Sequence, residues 1–180
     1  MSFDGIVVVA GIPGSGKTTL ARVLAPGLGL PLISKDTIKE ALFDILGTGD
    51  LAWSQQLGRA SHQVMYALAG EAESVVLESH FWRGKAEDDL RALGRPLVQV
   101  YCRCPLELAV TRYRQRTTAP DRHPGHLPEH QAEQAIASWA TTEPQPLDLD
   151  SPLIEVDTTR PVDVIALVEQ VRNGRPCIAT

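Results

Sequence analysis

A glycine-rich segment near the beginning of the chain has the residue types and spacing that bind phosphate. Residues 11–18 read Gly-Ile-Pro-Gly-Ser-Gly-Lys-Thr and directly follow the apolar run at 6–9. Glycines let the backbone wrap closely around an anion, and the turn directs its N–H groups and the positive end of the next helix at the phosphates. The motif predicts that Lys17 reaches the β- and γ-phosphates of a nucleotide and that Thr18 holds Mg²⁺. The residues predicted to bind the nucleotide in this segment and directly after it are Gly11, Pro13, Gly14, Ser15, Gly16, Lys17, Thr18 and Thr19.

A second group of polar residues follows the next predicted strand, which covers 30–33. Ser34, Lys35 and Asp36 come first, and Lys39 lies about one helical turn further on. Ligands of open parallel sheets bind outside the carboxyl ends of the strands, so these side chains are expected near the phosphate-binding segment. Asp36 is predicted to accept a proton from an attacking hydroxyl. The alternative is that Ser34 or Asp36 only caps the helix that follows.

Polar and aromatic residues also follow the predicted strand at 75–77. Glu78 is predicted either to support Mg²⁺ through a water or to accept hydrogen bonds from loop amides. His80 has no second histidine at ligand spacing, so we expect a hydrogen-bonded or solvated side chain rather than a metal ligand. Phe81 and Trp82 are predicted to line an acceptor pocket, the alternative being that they cover the sheet edge. Glu78, His80 and Trp82 are therefore assigned to the predicted substrate-binding set, together with the lysine at position 39.

Arginines cluster on a helix predicted to open at Pro105 and in the loop beyond it. Arg112 and Arg116 are four residues apart, so they lie on the same side of this helix. A mobile arginine that closes over a transferring phosphoryl group stabilises its charge once water is excluded, and Arg116 is assigned this catalytic role. Residues 117–130 are predicted to form a short lid, which carries Arg122 as a substrate contact.

The elements that position these residues alternate between short apolar runs and segments of helical spacing. This order predicts an α/β fold in which one domain, spanning residues 1–180, contains a five-stranded parallel sheet flanked by helices. The predicted strands cover 6–9, 30–33, 75–77, 97–101 and 153–156. Helical spacing occurs within 20–24, 38–45, 106–113, 132–139 and 164–171.

Composition and charge restrict the class of protein and its partners. The chain has 180 residues, enough for one domain with an ample core, and its formal net charge is −5. Proteins that bind nucleic acid are usually basic, so this charge favours a small molecule as the partner, although a local basic patch keeps nucleic acid possible as a partner.

The cysteines and the apolar runs bear on the location of the protein. Cys102, Cys104 and Cys177 have no metal-ligand spacing, which predicts reduced thiols. With neither a signal peptide nor a membrane-spanning run, we expect a cytoplasmic protein, and its oligomeric state is not predicted.

Five segments together resemble the "predicted kinase" branch of phosphate-loop (P-loop) proteins. This branch is related to chloramphenicol 3-O-phosphotransferase, phage polynucleotide 5′-hydroxyl kinase and zeta-toxin-like kinases. The segments are 11–19, 34–40, 75–79, 122–126 and 156–159. By this resemblance, Asp36 matches a catalytic aspartate, and Lys39 matches an arginine that contacts acceptor or phosphate in the polynucleotide enzyme.

The resemblance also reaches the part of the site that would hold the nucleotide base. Arg112 and Arg116 resemble the paired lid arginines of nucleoside-monophosphate kinases, in which the first stacks on adenine and the second grips phosphates. The loop at 157–161 resembles an adenine-side loop, which assigns Thr158 and Arg160 to nucleotide binding. The resemblance therefore implies a P-loop kinase that uses ATP, or GTP, together with Mg²⁺.

These observations together predict an ATP-dependent phosphotransferase whose acceptor is a hydroxyl of a small molecule, namely an antibiotic, a nucleoside or a sugar. Lys17, Asp36 and Arg116 are the predicted catalytic residues. A polynucleotide 5′-hydroxyl kinase is one alternative, which is weakened because Lys39 lacks the bidentate fork of an arginine. A nucleotide-binding or NTP-hydrolysing switch without an acceptor is another. The lid favours the kinase, because a transferase must exclude water from the γ-phosphate.

Overall fold

The computed structural model describes residues 3–120, 122–126, 136 and 144–174 of the chain. Within these residues, strands and helices follow one another in the order β1 (Gly5–Ala10), α1 (Lys17–Leu28), β2 (Leu32–Ser34), α2 (Lys35–Leu46), α3 (Leu51–Glu71), β3 (Ser74–Glu78), α4 (Ala86–Ala92), β4 (Leu97–Arg103), α5 (Leu106–Thr117), β5 (Leu153–Asp157) and α6 (Val164–Asn173). This alternation is the one that the apolar runs and the helical spacing predicted.

The five strands form one parallel sheet in the order β2-β3-β1-β4-β5. β1 lies at the centre, where Val7 pairs with Val76 of β3 and with Val98 of β4. Every residue of β1 is buried, as expected when helices cover both faces of a parallel sheet. The predicted α/β class and the five-stranded parallel sheet are therefore confirmed.

Two apolar layers hold the helices to the sheet. On one face, α1 and α6 pack against alternate residues of the strands, with Leu20, Leu24, Leu167 and Val171 as buried contacts. On the opposite face, α3 and α4 do the same, with Met65, Ala69, Ala86 and Leu90 as buried contacts. Because side chains alternate across a strand, neighbouring valines of β1 pack in different layers. Val7 and Val9 pack in the layer with α1 and α6, whereas Val8 packs in the layer with α3 and α4. The sheet is thereby fixed, and its carboxyl edge becomes a rigid base for a site.

The predicted second strand differs most from the observed one. It was expected to begin at Leu30, but β2 begins at Leu32. The N–H of Leu30 donates to the carbonyl of Ala25 at 3.0 Å, and Gly29 adopts a left-handed conformation with φ 74°. These are the contacts that close a helix at its C-terminus, so Leu30 belongs to the cap that follows α1 and not to the sheet.

Two helices, α3 and α4, were not predicted. The buried face of α3 includes Ser54 and Ser61, and a serine at a core position interrupts the apolar spacing by which a helix is recognised. α4 has only seven residues, which are too few for a periodic pattern. The helix predicted at 132–139 lies outside the described residues except for Ile136, which is helical and buried.

The predicted lid, 117–130, is described only at 117–120 and 122–126. Cys177 lies outside the described residues, whereas Cys102 and Cys104 have free thiols. No helix in the described part of the chain is both long enough and apolar enough to cross a bilayer.

Candidate active site

A cavity of about 810 Å³ opens at the carboxyl ends of the central strands. One part of its lining comes from the loop after β1, the end of β3 and the region of α5 and the lid, and comprises Pro13, Lys17, Thr18, Glu78, Tyr113, Arg116, Arg122 and His126. The other part comes chiefly from α2, α3 and the segment after β3, and includes Lys35, Asp36, Lys39, Arg59, His62, Tyr66, Trp82, Lys85 and Asp89. The three predicted catalytic residues therefore line one cavity, although they are far apart in sequence.

The phosphate-binding loop (P-loop, residues 11–18) is held tightly from outside. Gly14 has φ +82°, and a Cβ there would lie 2.1 Å from the carbonyl oxygen of Ala109 in α5, so only glycine fits. Thr158 binds the loop from the opposite side, because its hydroxyl donates to the carbonyl of Ser15 at 2.7 Å. The P-loop is thus shaped before any ligand arrives.

Lys17 is buried at the floor of the cavity, where its ammonium donates to the carbonyl of Ile12 at 3.0 Å. Burial lowers the pKa of Lys17, and the carboxylate of Glu78 opposes this effect. The nucleotide assignments of the other loop residues stay predictions. Ser15 is fully buried, and its hydroxyl has no hydrogen-bond partner among the described residues, while Thr19 is exposed.

Glu78 joins the P-loop to the end of β2. Its carboxylate accepts hydrogen bonds from the hydroxyl of Thr18 at 3.1 Å and from the hydroxyl of Ser34 at 2.7 Å. The alternative role, in which Glu78 accepts hydrogen bonds from loop amides, is not supported, because the donors to its carboxylate among the described residues are side-chain hydroxyls. The pair of Thr18 and Glu78 fits Mg²⁺, which prefers oxygen ligands and is usually held by one or two carboxylates plus substrate phosphates. Among the described residues, no three His, Cys, Asp or Glu side chains converge on a metal site.

Asp36 lies in the first turn of α2 and faces the cavity. The N-cap residue of α2 is Ser34, whose side chain makes no capping hydrogen bond, and the Asp36 carboxylate instead pairs with the Lys35 ammonium at 2.9 Å. The capping alternative is therefore not supported. Burial alone would raise the pKa of Asp36, but the adjacent Lys35 ammonium outweighs it and holds the pKa well below its usual range. The carboxylate is ionised at neutral pH.

The two helix arginines reach different places. Arg116 lines the cavity, and its guanidinium lies 5.6 Å from the centre of the Tyr113 ring. Arg122 of the lid lies at the same distance from that ring. Arg112 instead donates to the carbonyl of Thr158 at 3.2 Å, near the predicted adenine side.

Arg160 does not line the cavity and forms an ion pair with Asp157 at 3.1 Å. The structure therefore brings Arg116 and Arg122 to the cavity, whereas Arg112 and Arg160 lie outside it. The nucleotide-binding roles of Arg112, Thr158 and Arg160 stay predictions.

The residues after β3 divide between core and cavity. Phe81 is buried in the core, so its prediction as a pocket residue is wrong; Trp82 is 57% exposed and lines the cavity. His80 donates from Nδ1 to the carbonyl of Gly11 at 3.3 Å, and its ring lies edge-on to Trp82 at 4.7 Å. Burial, helped by the ammonium of Lys17, lowers the pKa of His80 to about 4. His80 is neutral near pH 7.

α3 supplies a wall of the cavity that the sequence did not predict. Its lining residues recur at helical spacing: Leu51, Ser54, Gln55, Gly58, Arg59, His62, Gln63 and Tyr66. His62 is fixed in this wall, because Nδ1–H donates to the Gly58 carbonyl at 3.1 Å and Nε2 accepts from the Ser79 hydroxyl at 2.9 Å. The spacing i, i+3, i+4 and i+7 is visible in the sequence, but a mostly polar stripe at this spacing is equally typical of a solvent-exposed helix face, so it does not by itself indicate a cavity wall.

The described part of the lid is fastened to α2. Nε2–H of His126 donates to Glu40 at 2.6 Å, and Nε2–H of His123 donates to Asp44 at 3.1 Å. Burial lowers the pKa of His126 despite its hydrogen bond to Glu40. The lid segment that carries Arg122 is thus anchored to the same helix as Asp36.

The parallel sheet, the glycine-rich loop after β1 and the carboxylates at the neighbouring strand ends define a P-loop nucleotide-binding protein of the α/β class. The AAA domain family matches residues 6–141, more than half of the chain, and the chain therefore belongs to this family. The predicted P-loop class is thereby confirmed.

Several known proteins are similar to this chain. Cytidylate kinase of Sulfurisphaera tokodaii is 26% identical over 123 residues, which make up 64% of this chain and 64% of that protein. The crystal structure of a candidate kinase from Chloroflexus aurantiacus is 33% identical, covers 95% of this chain and 98% of its own, and superposes with a TM-score of 0.85. A gluconokinase from Sinorhizobium meliloti, 20% identical over 97% of this chain and 93% of its own with a TM-score of 0.59, shows the same fold.

This chain spans about 64% of the length of the cytidylate kinase that it matches. The relative from Sulfurisphaera tokodaii and the protein from Chloroflexus aurantiacus are both named as kinases, in agreement with the predicted enzyme class.

Proposed function

We propose that this protein is an ATP-dependent phosphotransferase that moves the γ-phosphoryl group to a hydroxyl of a small molecule. The observation that carries the proposal is the position of Asp36. Its ionised carboxylate lines the same cavity as Lys17 and Thr18 of the P-loop, on the side that adjoins the α3 wall. An acceptor hydroxyl bound there would have a hydrogen-bond acceptor beside it and the phosphate-binding loop in front of it.

The other cavity residues support transfer by positioning and by positive charge. Lys17, Arg116 and Arg122 line the side where the transferring phosphoryl group would lie, and phosphoryl transfer depends mainly on such electrostatic stabilisation. Thr18 and Glu78 would hold Mg²⁺, which when bound neutralises charge on the β- and γ-phosphates. The described part of the lid is fastened to α2, and a lid that closes over this site would exclude water and so favour transfer over hydrolysis.

Asp36 acts more by orienting the acceptor than by removing its proton early. Because Lys35 holds the pKa of Asp36 low, the carboxylate is a weak base. In a loose transition state the proton leaves late, so a weak base in the right place is sufficient. This role applies only when the phosphoryl group moves to a hydroxyl, because the proton of that hydroxyl needs a hydrogen-bond acceptor nearby.

A second candidate acceptor is a nucleoside monophosphate. The relatives from Sulfurisphaera tokodaii and Methanobrevibacter smithii, each 26% identical, are named cytidylate kinases. A phosphate acceptor is already an anion and has no proton for Asp36 to accept, so the position of Asp36 favours the hydroxyl.

A screen of ATP consumption tests the proposal. The wild-type protein is incubated with ATP, Mg²⁺ and a panel of alcohols, sugars, nucleosides, aminoglycosides, cytidine 5′-phosphate and 5′-hydroxyl oligonucleotides, and products are identified by mass spectrometry. We expect at least one small alcohol to become a phosphate ester. A nucleoside diphosphate as the sole product would support the second candidate. ATP hydrolysis without transfer to any compound would show a nucleotide-hydrolysing switch.

A further inference from the structure

Lys39 is a buried cation without a carboxylate partner in the described residues. Its side chain is 9% exposed, and its ammonium donates to the hydroxyl of Ser54 at 2.8 Å and lies 5.2 Å from the centre of the Phe43 ring. No carboxylate of the described residues lies within 4.0 Å of it. Burying an unpaired charge is costly, so such a group needs a reason to be retained.

The energetic cost is visible in the ionisation of this lysine. Burial lowers the pKa of Lys39 to about 8; the nearby ammonium of Lys35 adds to the effect, and the carboxylate of Asp36, more than 4.0 Å away, only partly opposes it. A lysine ammonium has three donors, and Ser54 uses one of them. Because Lys39 lines the cavity, a ligand can reach the remaining donors. An anion bound at the Lys39 ammonium would provide the opposite charge that the described residues do not place there.

The charges around Lys39 also favour an anionic ligand at this position. Among the lining residues on the α2 and α3 side, Lys35 and Asp36 neutralise each other, which leaves Lys39, Arg59 and Lys85 against the single carboxylate of Asp89. The chain as a whole carries a net charge of −5, so positive charge is concentrated here and is not a general property of the surface. The cations that would meet the nucleotide phosphates, Lys17, Arg116 and Arg122, belong to the P-loop, α5 and the lid.

We propose that the acceptor carries a carboxylate or a phosphate ester besides its reacting hydroxyl, and that this anion lies against Lys39 and Arg59. The inference rests on the proposed function, and it narrows the acceptor from any small alcohol to an anionic one. It disfavours aminoglycosides and other cations, which would add positive charge where three cations already face one carboxylate.

Gly58 provides a test within the α3 wall itself. A Cβ at Gly58 would lie 3.9 Å from the Lys39 ammonium, in ordinary van der Waals contact and without strain in the helix. Gly58→Asp therefore places a carboxylate where the anion of the acceptor would lie, and Gly58→Asn adds the same volume without the charge. The melting temperature of both variants reports whether they fold.

Two series of related compounds that differ in charge serve as probes. The first comprises glucose, glucosamine, gluconate and glucose 6-phosphate, and the second comprises cytidine and cytidine 5′-phosphate. Affinity is measured by calorimetry on protein saturated with ADP and Mg²⁺, and transfer is measured with ATP. Gluconate and glucose 6-phosphate distinguish a carboxylate from a phosphate ester as the preferred anion.

We expect wild-type protein to bind at least one anionic probe about 10- to 100-fold more tightly than its neutral counterpart, the range of a buried charge-assisted contact. Gly58→Asp should abolish this preference, whereas Gly58→Asn should keep most of it. Lys39→Met should also abolish it, and Lys39→Arg should retain it.

Equal affinity for anionic and neutral probes in wild-type protein overturns the inference, as does a preference that survives Gly58→Asp. Failure of the proposed function is a different result: an anionic probe binds with the expected preference, but no phosphate is transferred to it. Transfer to a neutral or cationic compound in preference to every anion would support the kinase activity and contradict the proposal of an anionic acceptor.

Discussion

The substitution Asp36→Asn separates a kinase from a nucleotide-binding switch. Asn has nearly the size of Asp and keeps an acceptor oxygen, but it removes the charge. The ion pair that is lost, Lys35 with Asp36 at 2.9 Å, is partly exposed, with 47% of the Asp36 side chain accessible to solvent. Pairs of this kind contribute about 0–1 kcal/mol, so the melting temperature should change little.

The expected loss of transfer follows from the environment of this carboxylate. A general base or orienting group contributes about 10²- to 10⁴-fold to the rate. Since Lys35 holds the pKa of Asp36 below its usual range, proton acceptance contributes less than positioning, and the loss belongs in the lower part of that range. We expect a decrease in kcat of about 10²- to 10³-fold, equivalent to about 3–4 kcal/mol of activation free energy.

The assay compares acceptor phosphorylation, the ATP dissociation constant and the melting temperature of wild type and Asp36→Asn. Asp89→Asn is a matched control, because Asp89 also lines the cavity but belongs to α4 and not to the P-loop or to α2. Asp36→Asn should lose transfer and keep nucleotide affinity, whereas the control should change the acceptor KM at most. Full transfer by a folded Asp36→Asn protein would refute the role of this carboxylate in the reaction.

Three further substitutions test the nucleotide side of the cavity. Lys17→Ala should lose nucleotide-dependent turnover while circular dichroism shows a retained fold, and near-wild-type turnover would end the kinase interpretation. Arg116→Ala should lower kcat by about 10²- to 10³-fold with little change in the ATP dissociation constant, since its contact strengthens in the transition state; an unchanged kcat would make Arg116 a solvated surface residue. Glu78→Gln should raise the Mg²⁺ concentration for half-maximal activity about 10- to 100-fold, measured by metal titration, and an unaltered Mg²⁺ requirement would restrict Glu78 to a structural role.

Local patterns were sufficient for the sheet and for the phosphate-binding loop. Each β-strand is a short apolar run bounded by turn residues, and a strand buried on both faces needs no alternation, so runs such as the one at 6–9 are read directly. The P-loop is likewise local, because its glycines, Lys17 and Thr18 are consecutive in sequence. The order of strands and loops also indicated that Asp36 and Glu78 would meet the loop at one edge of the sheet.

The acceptor side of the cavity could not be predicted in the same way. α3 buries serines at two core positions, so its apolar spacing is broken, and its cavity-lining stripe is polar like the surface of any helix. Whether Phe81 or Trp82 turns into the core depends on the packing of α3 and α4 against the sheet. Side-chain direction after a strand end is decided by such neighbours and not by the local sequence.

The sequence by itself determined the α/β class, the parallel sheet and the nucleotide-binding loop, because these are indicated by the burial patterns of single elements, by the order of those elements along the chain and by one continuous motif. Only the tertiary structure decided which helix forms the acceptor wall, that Phe81 turns into the core, and that Lys39 is buried without a carboxylate partner among the described residues. These features depend on contacts between different elements of the fold, such as the hydrogen bond from Lys39 of α2 to Ser54 of α3. Their energies come from burial and from charges brought together in space, which local sequence patterns do not encode.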